Sequence, residues 1–168
     1  MTDSLLKEKR EAIEKYAKQC FDDIEDNVKD LRSLARPQVS DDYDTIHQRL
    51  LRLSEIESSL AHVFENVSKV KSKVDVLQHQ ARVDLEDAQS EVLQRPQFRS
   101  PTSNYMSRPE VEAKLRSHTV SELHTLRVWD EVAIDIKRLV DVLRNYQQEA
   151  SKAKREIDTR LKILSMRF

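Results

Sequence analysis

The chain contains no glycine in 168 residues. Glycine is the residue that tolerates positive φ and lets backbone approach a phosphate closely. Its absence removes the P-loop and the Gly-x-Gly-x-x-Gly dinucleotide turn. It also removes the tight primed turns that β-hairpins favour. The remaining class is helical. The composition agrees: 35% of residues are charged and 38% hydrophobic, with a net charge of -1. The expected fold is all-α, a long antiparallel helical hairpin or coiled coil with an additional N-terminal helix, in a single domain.

Proline placement divides the chain. A first helix is expected over about 3–35, with apolar residues Ile13, Tyr16, Ala17, Phe21, Ile24, Val28, Leu31 and Leu34 three and four apart. Pro37 ends it. Ser40, Asp41 and Asp42 then offer a cap for a second helix over about 41–94. That helix carries a heptad seam through Leu60, Val63, Val67, Val70, Val74, Leu77 and Ala81. The seam shifts after Ala81 to Leu85, Ala88 and Val92, as at a stutter. At 1.5 Å per residue such a helix is roughly 80 Å long and requires partner helices. Residues 95–109 hold three of the four prolines. A third helix is expected over about 109–167, with Ser117, His118 and Thr119 marking a kink. The length of the apolar stripes points to a homo-oligomer.

The only cysteine, Cys20, makes an internal disulfide impossible and reads as a small apolar residue of the first helix. No apolar run is long enough to span a bilayer, and Met1–Leu6 lacks the basic and apolar regions of a secretory signal. A cytoplasmic location without membrane association is expected.

Helical metalloenzymes need Glu-x-x-His pairs on inward faces. None of the five histidines has a glutamate three residues before it, the one weak match being Asp44 before His47, and His118 and His124 are six apart, on different faces. There is no glycine-flanked nucleophile. Neither enzymatic activity, a metal nor a cofactor is expected.

Charge is unevenly distributed. Residues 1–48 carry net -4, residues 95–109 net +3 and residues 144–168 net +4. The proline-rich segment interleaves Arg95, Phe98, Arg99, Tyr105 and Arg108. Cations neutralise phosphates while aromatic rings stack on unpaired bases, so this pattern suits single-stranded nucleic acid. Lys69, Lys71 and Lys73, with Arg82 further along, extend the candidate surface. The same lysines also read as solvated flanks of a coiled coil, and any bend contains prolines and polar residues.

Over residues 45–168 this layout resembles the UvsY family of phage recombination mediators. The resemblance lies in a long helix with the basic stretch Lys69-Val70-Lys71-Ser72-Lys73, a polar interruption, and a helix start at Ser107-Arg108-Pro109-Glu110. A long helix follows, ending in the basic-aliphatic run Ile157-Asp158-Thr159-Arg160-Leu161-Lys162-Ile163-Leu164-Ser165-Met166-Arg167-Phe168. The family's tyrosines and glycine-bearing turn after the basic element are missing, and the N-terminal helix is extra. The resemblance implies a ring-like homo-oligomer that binds single-stranded DNA and helps load a RecA-type recombinase in place of a single-strand-binding protein, in the cytoplasm of a host cell. The other expectation is a structural coiled-coil adaptor or phage assembly protein that binds no nucleic acid.

Overall fold

The computed structural model describes residues 3–35, 42–95 and 108–166. Four helices account for nearly all of them: α1 (Asp3–Leu34), α2 (Tyr43–Gln94), α3 (Arg108–His118) and α4 (Val120–Ser165). The fold is all-α. Asp42 caps α2: its carboxylate accepts the Thr45 backbone N–H at 2.9 Å, and its carbonyl accepts from Ile46 at 3.0 Å. Hydrogen bonding with Thr45 holds the Asp42 carboxyl below its ordinary pKa.

The helix expected over 109–167 is divided at Thr119, the last residue of the anticipated kink. Thr119 is fully buried, and its hydroxyl donates to the Leu115 carbonyl at 2.9 Å, the same oxygen that its own N–H reaches at 3.0 Å. Ser117 likewise turns its hydroxyl back onto the Lys114 carbonyl at 2.8 Å. Such back-bonding by Ser and Thr bends helices. The bond from the Leu123 N–H to the Thr119 carbonyl, at 2.9 Å, carries the ladder onward into α4.

The chain forms two compact units. Unit 1 comprises Met1–Ala12 and Lys71–Asp135, and unit 2 comprises Ile13–Val70 and Ile136–Phe168. In unit 2, stretches of α1, α2 and α4 share a core. α1 supplies Cys20, Ile24, Val28 and Leu31; α2 supplies Ile46, Leu53, Ile56, Leu60, Val63 and Val67; α4 supplies Ile136, Leu139, Val140, Leu143, Ala150, Ala153 and Ile157. In unit 2 α2 and α4 are tied by Glu57, which bonds Ser151 and Lys154. The α1–α2 order is fixed by Asn27 on Ser59 at 3.0 Å and Asp30 on Arg52 at 2.7 Å. Asn27 falls on the heptad line of Leu6, Ile13 and Cys20, the type of position where a polar residue sets register.

Unit 1 has a smaller core, made by Leu6, Val74, Ala81, Leu85, Val92, Val128, Trp129 and Val132, and it also buries Thr119. Here α2 and α4 are antiparallel: Gln78 donates to Asp130 at 2.6 Å, while Ala81 and Asp84 line a small cavity with Ser121 and Thr125. α3 buries none of its residues.

The expected seam is buried along one heptad line and at Val63, whereas its members Val70, Leu77 and Ala88 are half-buried. Leu60, Val67, Val74 and Ala81 are all inside, and the line moves by four to Leu85 and then by seven to Val92. On α1 the phase differs from expectation: Cys20 is buried, whereas Phe21 is 40% exposed. The heptad line passes through the smaller residue because Ile24, Val28 and Leu31 set the inward direction. Burial raises the Cys20 pKa, with the nearby Asp23 charge adding to it against an opposing hydrogen bond from Tyr16. The long stripes on α2 and α4 are thus covered within the chain. Apolar side chains left at the surface include Val76, Val120 and Ile134 in unit 1 and Leu51 and Ile163 in unit 2.

Candidate nucleic-acid interface

The sequence-derived candidates divide between the units. Lys69 belongs to unit 2; Lys71, Lys73, Arg82, Arg95 and Arg108 belong to unit 1. Phe98, Arg99 and Tyr105 lie outside the described residues. Lys69 pairs with Glu65 one turn earlier at 2.7 Å, and that bond holds the Glu65 pKa down. Lys71 pairs with Asp75 at 2.6 Å and Arg108 with Glu112 at 3.2 Å. Residues two apart on a helix do not share a face, so Lys71 and Lys73 do not form one track.

Lys73, Arg82 and Arg95 are exposed and form no ion pair among the described residues. Arg95 stands immediately after α2, with its N–H on the Val92 carbonyl at 3.1 Å. Arg108 opens α3 with its side chain 92% exposed. Two residues not singled out by sequence reasoning, Lys114 and Arg116, add charge to α3. An eleven-residue helix is too short to be stable by propensity alone, and α3 has no buried residue to anchor it.

The histidines stand apart from one another's chemistry. His47 stacks on Tyr43 with ring centroids 6.3 Å apart, His62 meets Asn66 at 3.2 Å, and His118 Nδ1 lies 2.8 Å from the Lys114 carbonyl. Among the described residues no group of three His, Cys, Asp or Glu side chains is placed to hold a metal ion. No helix among them is long and apolar enough to cross a membrane.

No protein-family model matches the chain, and neither the curated proteins nor the solved structures contain a match to it.

Proposed function

We propose that this protein is a non-enzymatic, homo-oligomeric accessory of recombination that binds single-stranded DNA and helps a RecA-type recombinase replace a single-strand-binding protein. The observation that carries the reading is α3: a helix with no fully buried residue that displays Arg108, Lys114 and Arg116 directly after the segment bearing Phe98, Arg99 and Tyr105. A polyanion crossing α3, Arg95 and Arg82 supplies counter-charge to Arg82 and Arg95 and takes the place of Glu112 at Arg108. The role in recombination rests on the resemblance to the UvsY family. Self-association rests on that resemblance and on the exposed Val76, Val120, Ile134, Leu51 and Ile163. A cytoplasmic site of action accords with this reading.

The second reading, a structural coiled-coil adaptor or assembly protein, is favoured by Lys69, Lys71 and Arg108. Each has a carboxylate one turn away. Such exposed pairs contribute about 0–1 kcal/mol, little enough for a phosphate to displace them.

Titration of an unstructured oligonucleotide at several salt concentrations separates the readings. Replacing Arg82, Arg95 and Arg108 together by Gln is expected to make the slope of log affinity against log salt shallower by about 2, at roughly 0.7 per lost single-strand contact. Circular dichroism should show helicity retained. A wild-type protein that does not bind single strands, or an unchanged slope in the variant, moves the assignment to the adaptor. A compact monomer in sedimentation at micromolar concentration removes the homo-oligomer.

A further inference from the structure

The junction between α3 and α4, within unit 1, gives one residue two alternative sets of partners. α4 begins at Val120, and its first ladder bond runs from the Leu123 N–H to the Thr119 carbonyl at 2.9 Å. A residue that takes this bond from just outside the helix stands in the N-cap position. Thr119 also has the chemistry of a cap. Thr119-Val120-Ser121-Glu122 matches the Thr-x-x-Glu capping box. In that box the threonine hydroxyl accepts the glutamate N–H, and the glutamate carboxylate accepts the threonine N–H.

The structure holds Thr119 in the other set. Its hydroxyl donates to the Leu115 carbonyl at 2.9 Å, and its N–H donates to the same oxygen at 3.0 Å. Both Thr119 donors therefore serve α3. Glu122 is half-buried and lines the small cavity with Ala81, Asp84, Ser121 and Thr125. Its carboxylate lies within one helical turn of Thr119 and forms no hydrogen bond to it among the described residues.

α3 is the element that an exchange of these partners frees. It has eleven residues, none of them buried, and its apolar Val111 and Leu115 are half-buried. Isolated helices shorter than about 12–15 residues are marginal in water. Its last turn is closed by its own side chains: Ser117 donates to the Lys114 carbonyl at 2.8 Å, and His118 Nδ1 lies 2.8 Å from the same oxygen. α4, by contrast, is anchored in the unit by Val128, Trp129 and Val132. A helix start without caps leaves N–H groups unsatisfied, so release of α3 would ordinarily fray α4 too. The capping box removes that penalty. Two bonds to Leu115 are exchanged for two bonds with Glu122.

We propose that Thr119 is a two-position hinge. With α3 docked, Thr119 bonds back to Leu115. With α3 released, Thr119 closes the capping box with Glu122, and α4 keeps its first turn. α3 thus opens and closes as a separate element without unravelling the helix behind it. The inference goes beyond the single-strand reading and does not depend on what α3 binds. A ligand that prefers one position shifts the balance by its differential affinity for the two.

Residue-resolved amide hydrogen exchange on the full chain tests the hinge. In the wild type, amides of 112–118 should exchange at least roughly 10-fold faster than those of 123–126, relative to their intrinsic rates. Lys114→Pro forces release, because proline inside a helix removes a bond and clashes with the preceding turn. Amides of 123–126 should then stay within about 3-fold of the wild type, since the box holds the start of α4. Lys114→Pro/Glu122→Ala and Lys114→Pro/Thr119→Val should each exchange about 5-fold faster at 123–126 than Lys114→Pro alone. Lys114→Pro/Thr119→Ser keeps the hydroxyl and should match Lys114→Pro. Protection at 128–132, around Trp129, reports whether unit 1 stays folded. If proline abolishes it, Ala113→Gly/Lys114→Gly replaces Lys114→Pro as the releasing change with the same expectations, since it weakens α3 without removing an N–H. Equal protection of 112–118 and 123–126 in the wild type overturns the proposal, because α3 then does not open separately. So does loss of protection at 123–126 on release alone, which would make α3 the support of α4. No further loss on adding Glu122→Ala or Thr119→Val also overturns it, because the box is then unused. None of these readings involves an oligonucleotide, so a protein that fails to bind single strands leaves the hinge standing.

Discussion

Units 1 and 2 draw on stretches of the same helices but bury them differently. Unit 2 stacks Leu and Ile from three helices, with Ala150 and Ala153 buried on α4, and joins its helices by Asn27–Ser59, Asp30–Arg52 and Glu57–Lys154. Unit 1 relies on one large side chain, Trp129, among mostly smaller ones, includes a buried threonine, and carries a helix whose apolar residues Val111 and Leu115 are only half-buried. A core built from few contacts opens locally at lower free energy. The contrast implies that unit 1 opens locally at lower free energy than unit 2.

The most severe way to break this contrast is Trp129→Ala. Trp129 is 1% exposed, and removing a buried Trp costs about 3–5 kcal/mol. Hydrogen exchange should then lose protection over 74–92 and 120–132 while 46–67 and 139–157 retain theirs. Simultaneous loss in both stretches would mean that the units unfold as one block. The reciprocal change is Leu143→Ala, at a residue with no exposed surface, with an expected cost of about 2–5 kcal/mol by denaturant titration. Protection should fall first in unit 2.

A smaller change sharpens the account of the bend. Thr119→Val keeps the buried volume and removes only the hydroxyl bond to Leu115. The Leu115 carbonyl still receives the residue-119 N–H, so no buried acceptor is orphaned. The cost should be about 0.5–1.5 kcal/mol, with a straighter helix through 115–123 in the structure of the variant. An unchanged bend would place its cause in packing.

Much of this was legible from pattern. The line Leu60, Val67, Val74 and Ala81 and its shift to Leu85 and Val92 follow from helix period alone. So does the break at Thr119, because Ser, His and Thr in succession compete for backbone carbonyls. The α1 line was less legible: Phe21 is the more apolar of two neighbours, yet Cys20 lies on the inward heptad, whose next member is the polar Asn27. The Glu57–Ser151–Lys154 contact depends on the register of α2 against α4, which no local pattern encodes. The candidate surface was read as a run of charge. Helix phase separates Lys71 from Lys73.

The smallest expected effect concerns what ties α2 to α4 in unit 2. Hydrogen bonds from Lys154 and then Ser151 hold the Glu57 carboxyl below its ordinary value of 4.5. A group whose folded pKa is depressed contributes stability above its unfolded pKa and loses it as pH falls through the folded one. Wild-type stability should therefore decline below about pH 4.5 partly through this residue. Asp42 and Glu65 are depressed as well, so acid weakening alone does not identify Glu57. The discriminating quantity is a double difference: the urea midpoint at pH 7 minus that at pH 3, compared between wild type and Glu57→Gln. The amide preserves shape and an acceptor for Lys154 or Ser151 but does not titrate in this range. The variant should start lower at pH 7 and lose less on acidification. Equal losses would show that the Glu57 contact, although well formed, adds nothing to unit 2 beyond what its apolar core already supplies.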